Sequence, residues 1–313
     1  MRGFILAAGF GTRLQPITDH LPKALVPLAG KPLLKHALDF LHDCGVDSVG
    51  VNAHYLPERI SDYRNIVQCR FELFHETPEI RGTGGALHFA RRFLRDDATF
   101  MVSNVDIVAR FDLHAHIQSF EKSDDCCRLL AWKNGTGTGT IVYDPADLRY
   151  IGAANETGER RGFATADFIG ITLYRREFLP LLTPDDFSIL PVWRRAIDRG
   201  MSVSIGLIDA GYWRDIGNPK SLADAHFDII DGRLDIAPPP HLRLDSKRRC
   251  CYPIQWSAIQ AARLGHYCWI GNEAFGPAET IERTVVFPEV VHAPRHPLRN
   301  LLLTPWGEIS FDE

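Results

Sequence analysis

No stretch of this 313-residue chain is apolar for long enough to span a bilayer. Its opening run, Met1-Arg2-Gly3-Phe4-Ile5-Leu6-Ala7-Ala8-Gly9, is broken by glycine too early to act as a leader's apolar segment, so a cytoplasmic protein without a membrane partner is expected. Cysteine is sparse and unpatterned. The seven residues include two pairs of direct neighbours, Cys126-Cys127 and Cys250-Cys251, and no Cys-x-x-Cys, which excludes zinc-ligand spacing and points to buried, inert thiols. An excess of positive charge is also missing. With 35 Lys+Arg against 39 Asp+Glu, the net charge of -4 supplies no basic field for a nucleic-acid partner. Any phosphate chemistry must rest on a few placed cations.

What is present is a regular alternation of short β-rich runs and helical periodicity over the first hundred residues. Strands are expected at Gly3 to Ala8, Ser48 to Asn52, Phe71 to Phe74 and Thr99 to Ser103. Between them, Leu33, Leu34, Ala37, Leu38 and Leu41 share one helical face, as do Ala86, Leu87, Ala90, Phe93 and Leu94. Beyond Asp106 the pattern loosens, with strands expected at Leu129 to Trp132, Thr140 to Tyr143, Ile169 to Tyr174, Val203 to Leu207 and Tyr212 to Asp215. A glycine-rich turn is expected at Gly135 to Gly139, and helices at Phe187 to Arg199 and Pro219 to Ile230. This predicts an α/β fold, a Rossmann-like, mostly parallel mixed sheet flanked by helices. Pro238-Pro239-Pro240 is a stiff spacer, and a boundary near 235 separates a catalytic domain, 1–235, from a β-rich appendage, 236–313. Ile270-Gly271-Asn272, Phe275-Gly276-Pro277 and Ile281 to Val286 step along that appendage like turns of a partial left-handed β-helix.

The segment Leu6-Ala7-Ala8-Gly9-Phe10-Gly11-Thr12-Arg13-Leu14-Gln15-Pro16 follows a strand directly, where open α/β sheets bind ligands. Its glycines let backbone approach a triphosphate, and Arg13 can make paired, charge-assisted bonds to phosphate oxygens. Lys23 adds a second cation. Two other glycine motifs fail here: the third glycine of a dinucleotide fingerprint would fall on Leu14, and no Gly-Lys-Ser/Thr closes a P-loop.

The spaced pattern Leu6-Ala7-Ala8-Gly9-x-Gly11-Thr12-Arg13-Leu14-x-Pro16-x-Thr18-x-x-x-Pro22-Lys23-x-Leu25 resembles the signature of the nucleotide-sugar pyrophosphorylase (sugar-1-phosphate nucleotidyltransferase) family. The likeness continues through Gly30-Lys31-Pro32-Leu33, Asn52 to Leu56 and Pro78 to Ala86, then thins after residue 110. It implies a Mg²⁺-dependent transfer of a nucleoside monophosphate from a nucleoside triphosphate to a sugar 1-phosphate. Nucleotide would be held by Leu6, Ala7, Ala8, Gly9, Gly11 and Thr12, with Arg13 and Lys23 on the triphosphate. Gly82, Thr83, Gly84 and Gly85 would lie against base and ribose, and Glu76 would read the base. Asn104, Asp167 and Gly170 would meet the sugar. Asp106, ending Met101 to Asp106, and Asp215, in Gly211 to Pro219, would hold the metal, which needs no more than two carboxylates beside phosphate and water.

Two departures stand out. Val105 occupies the place of a glycine in the family, and the Glu-Lys-Pro element that grips the sugar phosphate is absent between residues 133 and 165, leaving Lys133, Arg160 and Arg161 as substitutes without motif support. They keep open a second reading, a nucleotide-sugar sensor or regulatory subunit. Within the family the N-terminal third is most similar to members acting on N-acetylmuramate, heptose or mannose phosphates with UTP or GTP. The closing run Val285 to Gly307 tilts the expectation towards GTP and a mannose- or heptose-type sugar phosphate, and its open β-coil end towards a homodimer through the C-terminal part.

Overall fold

A computed structural model of the protein describes residues 1–67, 70–133, 139–157, 161–275, 280–292, 294 and 296–311. Gly135 to Thr138 of the turn expected at Gly135 to Gly139, together with Arg160 and Gly276-Pro277, lie outside the described residues. Two compact units form, each discontinuous in sequence: Met1–Gly9 with Ala37–Trp213, and Phe10–His36 with Arg214–Glu313.

The first unit is built on a nine-stranded sheet. Arg2–Leu6 lies at its centre, parallel to Ser48–Ala53 on one side and to Thr99–Asn104 on the other, and Glu72–His75 extends the parallel run. Register brings Leu6 opposite Asn104, so the carboxyl ends of these strands finish at the same level. The remaining strands turn the sheet mixed. Ala164–Arg175 runs antiparallel to Thr99–Asn104, Asp125–Trp132 and Ile141–Tyr143, while Ser202–Ile208 runs parallel to Asp125–Trp132. The twelve-residue strand is longer than the six residues expected because it switches partners midway, with a register shift between Phe168 and Thr172. Gly170 sits in that shift at φ 75°, a conformation L side chains resist.

Helices follow the apolar periodicity. Leu33–Asp43 buries Ala37, Phe40 and Leu41, and Gly45 ends it with φ 79°. The second expected face is split between Gly82–Phe89 and Arg91–Leu94, and Pro57–Val67 is a helix that the periodicity did not signal, with few apolar residues to mark it. A cluster around Phe4, Phe100, Tyr174, Phe178 and Trp193 fills one face of the sheet. Trp193 Nε1 donates to Tyr174 Oη at 3.0 Å, which satisfies both buried polar atoms, and burial pushes the Tyr174 hydroxyl pKa well above its ordinary value.

In the second unit, helix Pro219–Ile230 starts on a reciprocal cap between Asn218 and Ser221, with proline in its first turn. Its buried His226 accepts from the Ala29 amide at 3.1 Å, fixing the Pro27–Leu28 and Lys31–Pro32 hairpin to the helix. The C-terminal strands Leu242–Asp245, Cys250–Pro253, Cys268–Ile270, Ile281–Val286, Leu298–Thr304 and Gly307–Ser310 form one sheet in chain order. Its four inner strands are parallel, with Cys250 opposite Cys268, Cys268 opposite Thr284 and Thr284 opposite Leu301. The chain thus returns to the same level every 16 to 18 residues, as a coil of hexapeptide steps requires.

Candidate active site

In the first unit the chain leaves the central strand at Leu6 and exposes Gly9, where an added Cβ would meet nothing within 4 Å. The Ala7 amide donates to Asn52 Oδ1 at 2.6 Å, so the first residue past the strand is held from behind while the loop faces open space. Beside it, the Val105 amide donates to Leu6 O at 3.1 Å, continuing the pairing towards half-buried Asp106. Val105 itself is buried, so its side chain occupies core volume and not the open side of the loop.

The glycine-rich segment Gly82 to Gly85 opens the helix Gly82–Phe89. Its glycines answer to the chain's own backbone. Gly82 holds φ 69°, and a Cβ there would overlap the Phe187 carbonyl; at Gly84 it would lie 2.5 Å from Asp186 O. At these two positions, therefore, the space a side chain would need is taken by residues 186–187. Thr83 N donates to Phe187 O at 2.8 Å, Gly85 N to Asp186 O at 2.6 Å, and Ile189 N to Thr83 Oγ1 at 2.8 Å. This contact explains why the expected helix from Phe187 begins only at Leu190. Asp186 fastens the turn: it accepts from Thr183 N and Oγ1 and from both terminal nitrogens of Arg195, and the Arg195 bonds hold its carboxyl below the usual carboxylate range.

Glu76 needs a correction. It is fully buried, Oε1 accepts from Asn52 Nδ2 at 2.8 Å and Oε2 from the Arg81 amide at 2.7 Å, so neither oxygen is at the surface to read a base. A carboxylate six residues before a glycine turn signals an internal acceptor as well as it signals a ligand contact.

Asn104 and Gly170 are brought together: a Cβ on Gly170 would lie 3.0 Å from Asn104 Nδ2 and 2.8 Å from Ile107 Cγ1. Asp167, half-buried on the same long strand, pairs with Trp132. The Trp132 ring stacks near Trp213, whose Nε1 donates to Ile169 O at 3.2 Å. These two half-buried indoles bordering Asp167 were missed from the sequence, where nothing connects residues 132 and 213.

In the second unit, Gly11 at φ 66° turns the chain into the short helix Thr12–Leu14, and Thr18 Oγ1 donates to its carbonyl at 2.9 Å. A Cβ at Gly11 would lie 3.0 Å from Lys23 Cβ, so the glycine and the half-buried lysine are neighbours. Arg13 and Asp215 gather around Gly217: a Cβ built there would be 2.7 Å from Arg13 Nη2 and 2.9 Å from Asp215 Oδ1. The preceding Arg214 binds Asp228 Oδ2 through Nε at 3.0 Å and Nη2 at 2.5 Å, tying the Asp215 segment to the helix Pro219–Ile230. Among the described residues no group of three or more His, Cys, Asp or Glu is arranged for a metal, and no helix is long and apolar enough to cross a membrane.

A family model described as nucleotidyl transferase matches residues 2–160, just over half of the chain. The N-acetylmuramate alpha-1-phosphate uridylyltransferase of Caulobacter vibrioides is 29% identical over 69% of this chain and 92% of its own length. The mannose-1-phosphate guanylyltransferase catalytic subunit beta of Dictyostelium discoideum is also 29% identical, over 70% of this chain but only 62% of its own length. A solved structure, apo-UDP-glucose pyrophosphorylase, superposes on 74% of this chain and 99% of its own with a TM-score of 0.61 at 16% identity, a likeness of fold.

Proposed function

Because the chain belongs to the nucleotidyl transferase family, we propose that it transfers a nucleoside monophosphate from a nucleoside triphosphate to a sugar 1-phosphate, releasing pyrophosphate and an NDP-sugar. The observation that carries the reading is the open glycine loop at the end of the central strand, linked through Asn52 and Glu76 to Arg81 at the start of the Gly82 to Gly85 turn and paired through Leu6 with Asn104 and Val105. Loop amides at Ala8, Gly9, Gly11 and Thr12 bind phosphate oxygens, and Arg13 and Lys23 stabilise the charge that grows on the leaving pyrophosphate. A sugar-phosphate oxygen attacks the α-phosphorus as the bond to pyrophosphate breaks. The attacker is already ionised, so no side-chain base is required. Asn104, Asp167 and Gly170 border the sugar, with Trp132 and Trp213 as a flat apolar wall.

Asp106 and Asp215 would hold Mg²⁺. Their chemistry fits: both are hard oxygen donors, one in the turn between Thr99–Asn104 and Ile107–Arg110 and the other exposed beside a guanidinium that also suits phosphate. The ion would supply charge neutralisation at the phosphates. A relative named for guanylyl transfer supports GTP with a mannose- or heptose-type sugar phosphate, and one named for uridylyl transfer makes UTP the competing donor. The proposal places this reaction in the cytoplasm and includes a homodimer through the C-terminal strands, which a sedimentation run showing only monomer would eliminate.

Pyrophosphate release is the test, run with Mg²⁺ and four nucleoside triphosphates against mannose, glucose, glucosamine, heptose and N-acetylmuramate 1-phosphates. Release confined to one pair establishes the reaction and names both substrates. Silence across the whole matrix refutes it.

A further inference from the structure

Two buried side chains connect the loop after the central strand to the glycine turn that opens the helix Gly82–Phe89. Asn52 is the last residue but one of the strand Ser48–Ala53, at 2% exposure, and Glu76 directly follows the strand Glu72–His75 at 0%. The Ala7 amide donates to Asn52 Oδ1 at 2.6 Å, Asn52 Nδ2 donates to Glu76 Oε1 at 2.8 Å, and the Arg81 amide donates to Glu76 Oε2 at 2.7 Å. Glu76 is itself fixed, its amide donating to Ala53 O at 2.8 Å and its carbonyl lying 3.0 Å from His54 Nδ1. Arg81 is the capping residue of the glycine helix, and Ala7 is the first residue beyond the central strand.

The order of donors has one solution. A backbone amide can only donate, so Asn52 must present oxygen to Ala7 and nitrogen to Glu76, and Glu76 must accept at both ends. A buried network whose members are all satisfied is rigid, because any displacement leaves a polar atom without water or partner. We propose that Asn52 and Glu76 are positioning residues, a buried strut that sets the spacing between the Ala7 to Gly9 loop and the Gly82 to Gly85 turn before nucleotide arrives. This rests on the reading of those two segments as the nucleotide's seat. Preorganisation of this kind raises affinity by removing the ordering cost from binding.

The test exchanges the polarity of the central bond. Glu76→Gln alone sets amide against amide, and Asn52→Asp alone sets carboxylate against carboxylate. Together they rebuild the strut in reverse: Asp at 52 accepts from the Ala7 amide and from Gln at 76, whose oxygen accepts from the Arg81 amide. Hydrogen exchange of the unliganded full chain is measured first. Each single variant should speed exchange about tenfold or more in both segments, and the double variant should return both to within about threefold of the parent. Titration with GTP and with UTP follows. The single variants should weaken the nucleotide that binds by about tenfold or more, with KM raised and kcat moved far less, and the double variant should recover it. A single variant that fails to fold while the double variant folds is the same rescue.

Faster exchange in one segment only, failure of the double variant to restore it, or nucleotide affinity unmoved in the single variants would overturn the proposal. Exchange does not require nucleotide, so the two readings separate. A parent protein that binds neither GTP nor UTP while the exchange pattern holds overturns the seat and leaves a strut without that role.

Discussion

Replacing Gly82 by alanine asks what the glycine turn is for. Gly82 holds φ 69°, a conformation that costs an L-residue about 1–2 kcal/mol. The new methyl would also overlap the Phe187 carbonyl oxygen, so residues 186–187 must move. Moving them breaks Thr83 N to Phe187 O at 2.8 Å and Gly85 N to Asp186 O at 2.6 Å, at about 1 kcal/mol each. The sum is about 3–4 kcal/mol, a fall in melting temperature of roughly 6 °C or more. Gly85→Ala is the control, since its Cβ would meet Pro184 O at 3.2 Å and Arg81 Cβ at 3.3 Å without a left-handed backbone. It should change stability by less than about 1 kcal/mol. Urea unfolding followed by tryptophan fluorescence gives both values, with a nucleotide titration in parallel. If the two variants are equally stable and lose nucleotide binding equally, the ligand and not the 186–187 backbone dictates glycine, and the reasoning fails.

Three further outcomes follow from the same geometry. Asp106→Asn and Asp215→Asn should each lower Mg²⁺-dependent pyrophosphate release by about a hundredfold or more with circular dichroism unchanged; near-normal turnover removes that aspartate from the metal. Burial holds the His226 pKa down to about 4 from 6.5. The unfolded chain therefore binds the extra proton between those values, and this part of the stability is complete above about pH 6.5 and falls by about 3 kcal/mol as pH drops through 4. Urea midpoints measured against pH should flatten over that window in His226→Gln, and an unchanged slope would contradict the assignment. Trp193→Phe removes the bond to Tyr174 Oη and should cost roughly 1–3 kcal/mol. Adding Tyr174→Phe should then cost little more, because the orphaned hydroxyl goes with it; fully additive losses in thermal unfolding would show that the two are not coupled.

The helix Pro219–Ile230 was legible because its start carries its own instructions, a proline after a capping asparagine. The parallel core strands were legible because burial on both faces leaves continuous apolar runs. Pro57–Val67 was not, since a mostly exposed helix needs no apolar stripe. Ala164–Arg175 was read at half its length because its first residues join the sheet through Ile141–Tyr143, partners that the local pattern does not reveal.

The same division runs through the site. Gly9, Gly11, Arg13 and Lys23 lie within a short, gapped stretch, so local spacing alone was enough to propose a phosphate loop there. Asn52, Glu76 and the 183–189 turn could not be read that way. Whether a buried carboxylate faces a ligand or a backbone amide is settled by which atoms lie within 3 Å; for Glu76 these belong to Asn52 and Arg81, and the 183–189 turn is joined to Thr83 across 106 positions. The sequence by itself determined the βα alternation, the spacing of glycines and cations in the candidate loop and the helix caps, which depend on neighbours along the chain. Only the tertiary structure decided which glycines serve the fold, which acid is internal, and which tryptophans meet, because each depends on the packing of segments that the linear order keeps apart.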